Sequence, residues 1–345
     1  MTARDVDAPA VAALVADAVL APSMHNAQPW TFRHRTGDGV LELRADLERA
    51  MPRTDPHDRS LTIGCGAALF NLRVAAAHAG LAPAVRLLPD PGDPVLLAEM
   101  HLAAAAPGPA PGPGTPGAEA PGPAPDAELA ALHPAVRLRH TSRHPFTDQE
   151  IPEPVRDALC AAAAREGALL SFTHPWHGDF LLDLVRDAEA RDLRDAAGRE
   201  ELERWTRLGA EADTAVDGVP DYAFGPRKSD GRAPWRDFAG RRPVAGQGST
   251  AFERQPHLAL LSTHGDRPAD WLGAGQALEH VLLRATLSGL STSLTSHALE
   301  SVELRRLVRD PVTGEGPVQM VLRLGYGPPG TATPRRPVDE VLTFG

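Results

Sequence analysis

Hydrophobic residues recur along the chain with two spacings, and these predict a mixture of helices and strands. Apolar positions three and four residues apart indicate helices, whereas short alternating or continuous apolar runs between turn residues indicate strands. The predicted helices span residues 8–20, 61–80, 152–166, 179–210, 270–289 and 300–309, and the predicted strands span residues 30–35, 40–45, 83–88, 95–102, 168–173, 257–263 and 318–324. This arrangement predicts an α+β fold.

A stretch rich in Pro, Gly and Ala divides the chain at residues 107–125. It reads PGPAPGPGTPGAEAPGPAP. Such a composition cannot bury apolar surface, so we expect an extended linker. The predicted domains are therefore a first half at residues 1–106 and a second half at residues 126–345.

The two halves contain similar helices. Residues 64–81 align without a gap to residues 273–290, with Gly at both ends of each segment. Both segments are Ala-rich, and each closes at a Gly that suits a left-handed helix cap. Chance similarity between two Ala- and Leu-rich helices is the alternative, but the matching glycines favour an internal duplication.

Composition limits the class of protein. The chain has 345 residues, a formal charge of −10, 42% hydrophobic residues and two cysteines. An acidic balance argues against a general binder of nucleic acid or anionic membrane. With neither a signal peptide, a membrane-spanning run nor a disulfide framework evident, we expect a cytoplasmic protein.

The most informative motif is APSMHNAQPW at residues 21–30, between a predicted helix and a predicted strand. Turn formers mixed with hydroxyl and amide groups suit a loop that presents hydrogen bonds to a flat polar ligand. The candidates are Ser23, His25, Asn26 and Gln28. A simple Pro-bracketed loop that caps a helix is the alternative.

Two basic segments predict a phosphate site. Residues 137–146 contain Arg139, Thr141 and Arg143, and a second basic pair follows at Arg335 and Arg336. Guanidinium groups bind phosphate through paired, charge-assisted hydrogen bonds. Solvated basic surface is the alternative. A metal site is disfavoured because no third ligand accompanies the two histidines of the first segment, and the Pro that follows them opposes a helix.

These motifs resemble those of FMN-dependent nitroreductases. The loop matches the family's A-P-S-x-x-N-x-Q-P-W segment, and residues 139–143 and 335–336 match its two phosphate-binding segments. The resemblance implies that Ser23 and Asn26 lie at the pyrimidine edge of the flavin and that Leu294 and Thr295 line its ring. It covers most of residues 7–340 and is strongest for the Acg-type, latency-associated branch.

That branch implies a nitroreductase-like fold in which two related halves form an intramolecular pseudo-dimer, with mainly antiparallel sheets packed by helices. Only the first half carries the APS loop, and only the second carries the Arg segment. We therefore expect one surviving composite site, one FMN per chain, and a monomer that acts as a fused pseudo-dimer.

An irregular region at about residues 213–250 predicts a lid or an insertion. It places Tyr222, Phe224, Trp235 and Phe238 among Gly, Pro and Arg. Long loops inside compact domains are often lids or disordered insertions. The resemblance implies a lid over the flavin, and we expect these aromatic residues to lie over the ring; ordinary structural packing is the alternative.

The expected activity is hydride transfer from NAD(P)H through FMN to a nitroaromatic, quinone or similar small-molecule acceptor. The cofactor would carry the chemistry, so no catalytic side chain is expected. The alternative function is flavin sequestration or storage at a lidded, non-catalytic site. A third alternative, a protein without flavin, requires every motif match to be accidental.

Overall fold

The structure is a computed structural model that describes residues 6–102, 126–192, 194–240, 242–309 and 316–345. The predicted linker at residues 107–125 lies outside the described residues. The first half contains α1 (Ala8–Ala18), β1 (Trp30–Arg35), β2 (Val40–Ala45), α2 (Arg59–His78), β3 (Ala84–Leu87) and β4 (Leu96–His101).

The second half is longer and more irregular. It contains α3 (Ala127–Ala130), α4 (His133–Leu138), α5 (Glu153–Arg165), β5 (Leu169–Phe172), α6 (Pro175–Asp192), α7 (Ala196–Arg204), β6 (Thr206–Arg207), α8 (Ala210–Thr214), β7 (Val219–Pro220), β8 (Arg227–Asp230), β9 (Ser249–Ala251), β10 (His257–Ser262), α9 (Pro268–Leu287), β11 (Ser291–Thr295), α10 (His297–Glu300), α11 (Val302–Val308), β12 (Val318–Gly325), α12 (Val338–Val341) and β13 (Leu342–Phe344).

Two main sheets flank the central helices, and their strands follow matching orders. One sheet runs β3-β4-β2-β1-β13 and the other runs β11-β12-β10-β5. All neighbours within these sheets are antiparallel except β1 and β13, which are parallel. In the chain, β1 and β2 precede the long helix α2, and β3 and β4 follow it. In the same way, β5 and β10 precede the long helix α9, and β11 and β12 follow it.

Helices α2 and α9 pack against each other at the centre of the molecule. Each has 20 residues, and they cross where Gly66 meets Gly275. A Cβ on Gly66 would lie 2.4 Å from the Leu272 carbonyl oxygen, and one on Gly275 would lie 2.0 Å from the Ile63 carbonyl oxygen. Only glycine allows the two backbones to approach this closely.

Helix α2 is a core helix. It is long and apolar enough to cross a membrane, but 94% of its apolar window is buried inside the protein. The first-half core includes Trp30 and Phe32 of β1, and a separate core in the second half is built largely from α9, β10 and β12. The cleft described below opens between these two cores.

The predicted helix at residues 179–210 is wrong as a single element. Helix α6 ends at Asp192, and α7 begins after Asp195, whose backbone is extended. Aspartate competes for backbone hydrogen bonds inside helices and is favoured at their N-caps. Asp195 therefore stands between two helices where apolar spacing alone predicts one, and its side chain pairs with Arg53.

The C-terminal residues return to the first half. Strand β13 pairs with β1, with Phe32 opposite Leu342 and His34 opposite Phe344. On the way, the tail passes the mouth of the cleft and brings Arg335 and Arg336 against the first half. The long-range pairing is absent from the sequence pattern because three residues are too few to predict a strand.

Candidate functional site

A cleft between the two halves brings together most of the predicted site residues. The space in and at the mouth of the cleft amounts to about 1250 Å³, open solvent included. Its walls come from the loop after α1, the start of α2, residues 139–143, the end of β11, residues 234–238 and the C-terminal tail. The described residues that line it include five Arg and three His but no Asp or Glu: Arg139, Arg143, Arg236, Arg323, Arg335, His25, His140 and His297.

The loop after α1 has a strained backbone. His25, Asn26 and Gln28 have φ values of 49°, 56° and 53°, in the left-handed region that non-glycine residues seldom adopt. The Ser23 hydroxyl accepts a hydrogen bond of 2.9 Å from the Gln28 N–H and closes the loop. Strain of this kind persists only where surrounding contacts hold it, and it concentrates at binding sites.

The Asn26 side chain connects this loop to two distant segments of the chain by hydrogen bonds. Its amide group donates to the carbonyl oxygens of Gly218 at 2.9 Å and Pro334 at 3.0 Å, and its oxygen accepts 2.9 Å from Arg335. Both amide hydrogens are therefore in use within the protein. The predicted contact of Asn26 with a ring edge stays a prediction.

Arg139 and Arg335 lie side by side although they are far apart in sequence. Both donate to the Leu20 carbonyl oxygen, at 2.9 Å and 3.1 Å. The Nε atom of each is buried; that of Arg335 has no hydrogen-bond partner among the described residues, and that of Arg139 lies 3.3 Å from the Glu279 carboxylate. Burial, with a further contribution from Arg139, lowers the pKa of Arg335 to about 9, while Glu279 opposes the shift. Two adjacent buried guanidinium groups of this kind favour a bound anion.

Arg143 occupies a different part of the cleft. It donates to the Ala223 carbonyl oxygen at 3.1 Å, and its guanidinium lies 5.1 Å from the centre of the Phe238 ring. Burial lowers its pKa to about 10. The four predicted phosphate cations therefore separate into one adjacent pair, Arg139 and Arg335, and two residues elsewhere.

Gln28 and Arg336 do not line the cleft. The Gln28 side chain accepts from the Arg336 N–H at 2.8 Å and donates to the Val216 carbonyl oxygen at 2.9 Å. Arg336 forms an ion pair with Asp46 at 3.2 Å. These two side chains connect the loop after α1, the C-terminal tail and the segment at Val216 by hydrogen bonds behind the cleft wall.

The remaining predicted residues line the cleft. Thr141 forms a parallel bridge with Thr292 of β11, which places residues 139–143 beside that strand. Leu294 and Thr295 follow on the same strand and form the adjoining wall. His25 also faces the cleft, and burial, reinforced by Arg236 and Arg143, lowers its pKa well below its ordinary value. It is therefore a neutral imidazole at pH 7.

Part of the predicted lid forms the outer wall. Trp235 and Phe238 line the cleft, whereas Phe224 stacks behind Phe238 with ring centres 5.6 Å apart and Tyr222 is half exposed. The rings of Phe238 and His25 are nearly perpendicular, with their centres 5.8 Å apart. Two of the four named aromatic residues thus face the cleft and two do not.

Sequence reasoning missed Arg236 and His297. Arg236 pairs with Glu300 and approaches Ser296, so it holds the lid residues against α10. Burial is the main reason that the pKa of His297 lies well below its ordinary value, and electrostatic repulsion from Arg236 and His25 lowers it further. His297 follows Thr295 by two positions, and that proximity was the only sequence signal available.

Other candidate chemistry is not supported. Within the described ranges, no three His, Cys, Asp or Glu side chains lie close enough to hold a metal ion. Cys65 is buried, and burial raises the pKa of its thiol. A reactive thiolate at the start of α2 is therefore not favoured.

Curated sequences similar to this chain come from Mycobacterium tuberculosis. Rv3131, provisionally named an NAD(P)H nitroreductase, is 32% identical over 98% of this chain and 92% of its own length. The acg protein, with the same provisional name, is 30% identical over 93% of this chain and 92% of its own length. No family model matches the chain.

Solved structures give weaker likenesses. A provisionally named nitroreductase from Anabaena variabilis covers 93% of this chain and 88% of its own, with 13% identity and a TM-score of 0.47. A Bacteroides fragilis nitroreductase with bound FMN covers 59% of this chain and 92% of its own, with 15% identity and a TM-score of 0.35. The family assignment therefore rests on the full-length relatives: this chain belongs to the nitroreductase family and is an Acg-like member of it.

Proposed function

We propose that this protein is an FMN-binding oxidoreductase that takes hydride from NAD(P)H and reduces a nitroaromatic, quinone or similar small molecule. The observation that carries the proposal is the adjacent buried pair Arg139 and Arg335, in a cleft whose described lining residues include no Asp or Glu. The family relationship supports the same activity, because the two curated relatives carry nitroreductase names.

The residues present fit an FMN molecule. Arg139 and Arg335 would hold the phosphate, and Thr141 beside them could donate a further hydrogen bond. Ser23, His25 and the 294–295 wall would contact the ring system. The flavin supplies two-electron chemistry between nicotinamide and acceptor, while the protein binds it, orients it and sets its electrostatics. Arg143, with no acidic partner among the described residues, makes the cleft favourable to negative charge.

A fused pseudo-dimer accounts for the arrangement of the two halves. Adding 209 to a residue number converts Gly66 to Gly275 and Ile63 to Leu272, and the contacts at the helix crossing are reciprocal under this conversion. A two-fold interface has this property, since residue i meets j and j meets i. The matching strand orders of the two main sheets support the same proposal.

The pseudo-dimer has one composite site. The first half contributes the loop at residues 22–26, and the second half contributes Arg139 and Arg335. We therefore expect one FMN per chain. The check is to saturate the purified protein, remove free flavin, and compare bound flavin absorbance with protein concentration from amino-acid analysis. A ratio near two would contradict the single-site proposal.

Flavin sequestration is the second candidate function, and the position of the lid favours it. Trp235 and Phe238 form one wall of the cleft. A nicotinamide must bring its C4 within about 3–3.5 Å of flavin N5 for hydride transfer. A lid that stays in place over the ring would prevent that approach while leaving the phosphate contacts intact.

An anaerobic titration separates the two functions. NADPH, and then NADH, is added to the FMN-loaded protein while the visible absorbance of the bound flavin is followed. Rapid bleaching would establish a reductase. A bound flavin that dithionite reduces but neither nicotinamide reduces would establish the storage function, and failure to bind FMN would overturn both.

A further inference from the structure

A buried carboxylate lies directly behind the phosphate cations. Glu279 of α9 is fully buried, and its Oε1 atom lies 3.3 Å from the Arg139 Nε atom. Neither carboxylate oxygen has a well-formed hydrogen bond in the described part of the chain. A buried carboxylate held mainly by charge responds strongly when the neighbouring charge changes.

Charge balance at this position depends on what the two arginines bind. Without a ligand, Glu279 offsets one of the two positive charges of Arg139 and Arg335. A phosphate monoester brings close to two negative charges at pH 7. With the phosphate in place, an ionised Glu279 would leave one excess negative charge in a buried setting. A protonated Glu279 would leave the group neutral.

We propose that Glu279 is the resident counter-ion of the Arg139–Arg335 pair and takes up one proton from solvent when a phosphate monoester binds there. The inference rests on the proposed FMN function and deepens it, because it makes retention of the phosphorylated cofactor depend on pH. No bond other than that to the proton forms or breaks.

The titration properties of the free site support this coupling. Burial raises the pKa of Glu279 to about 7, against the lowering effects of Arg139, Asn71 and Arg335. Glu279 is therefore partly protonated near neutral pH, and it offsets one full guanidinium charge only once the pH has risen above 7. A dianion bound to the two arginines raises the pKa of Glu279 further, so FMN affinity should fall as pH rises above 7.

The other charged groups around this position are few. His140 faces the same arginines, and burial, Arg139 and Arg335 all lower its pKa, so it responds below pH 6.5. On the far side of Glu279, α2 presents the neutral Asn71. Next to Glu279 on α9, His280 lies 3.4 Å from Glu166, which also pairs with Arg73. Between pH 7 and 8 the phosphate is almost entirely a dianion and Arg335 remains charged, so a pH range of 7 to 8 reports mainly on Glu279.

The experiment measures the dissociation constants of FMN and riboflavin by flavin fluorescence across this pH range. We expect the FMN constant to rise roughly fivefold per pH unit above 7, and the riboflavin constant to stay flat, because riboflavin has no phosphate. Calorimetry in buffers of different ionisation enthalpy should show uptake of up to about one proton per FMN at pH 7.5 and none with riboflavin.

Two variants identify the side chain that takes up the proton. Glu279→Gln should bind FMN more tightly than the unaltered protein at pH 8 and should lose both the pH dependence and the proton uptake. His140→Asn should retain both above pH 7. If Glu279→Gln fails to fold, His140→Asn decides the matter: proton uptake that persists in His140→Asn supports Glu279, and loss of the uptake in that variant overturns its role.

The outcomes separate this inference from the proposed function. FMN binding with no pH dependence and no proton uptake would overturn the role of Glu279 and leave the flavin function standing. Proton uptake that persists in Glu279→Gln would also overturn it. Absence of FMN binding at every pH would instead overturn the proposed function.

Discussion

Replacing Gly275 by alanine should destabilise the protein by about 3 kcal/mol, the upper end of the usual cost of overpacking, because the neighbouring atoms belong to a helix backbone and cannot move aside. The added Cβ would lie 2.0 Å from the Ile63 carbonyl oxygen and 2.8 Å from the Gly66 Cα. Both are backbone atoms of α2, so relief requires the two central helices to separate. Thermal unfolding followed by circular dichroism is the measurement.

Gly273→Ala is the matched control on the same helix. Its Cβ would meet only the Glu166 carbonyl oxygen at 3.8 Å, an ordinary contact. Alanine is preferred over glycine inside helices by about 1 kcal/mol, so this variant should be as stable as the unaltered protein or more stable. Equal melting temperatures for Gly275→Ala and Gly273→Ala would contradict the close helix crossing.

The second large effect is expected at the phosphate pair. Arg335→Met should weaken FMN binding about 100-fold, since hydrogen bonds to charged groups contribute about 1.5–3 kcal/mol and each 1.4 kcal/mol is tenfold. The affinity for riboflavin should fall much less, because riboflavin has no phosphate. Fluorescence titration of both flavins measures the two losses separately.

A control must distinguish loss of phosphate contact from collapse of the loop that Arg335 also supports. Arg254→Met removes an exposed guanidinium of the same half and should leave both flavin affinities unchanged. Should Arg335→Met weaken riboflavin as much as FMN, the residue would act on the loop through Asn26 rather than on the phosphate.

The sequence was informative where local pattern and structure coincide. Helix α2, the hairpin of β1 and β2 and the left-handed caps at Gly80 and Gly289 follow from periodicity and glycine position. The loop at residues 21–30 was recognisable for the same reason, because its turn chemistry is contained within ten residues. These features need no knowledge of the rest of the chain.

Features that depend on distant contacts were not predictable. Arg335 and Arg336 are adjacent in sequence, yet one lines the cleft and the other pairs with Asp46 behind its wall. The position of Arg143 beside Phe238 likewise depends on how the lid packs. In the sequence, Glu279 is one polar residue on an apolar helix. The residues near it in the chain do not indicate which two arginines it faces in the fold.

The distance between Asn26 and Arg335 along the chain has a consequence for how the protein is made. These bonded residues are separated by 309 positions. At synthesis rates of about 5–20 residues per second, the loop waits roughly 15–60 s on the ribosome for its partner. During that time the edge of β1 that later receives β13 stays open to pairing with other chains. Once the tail has been synthesised, β13 covers this edge of β1 and removes the opportunity for such pairing.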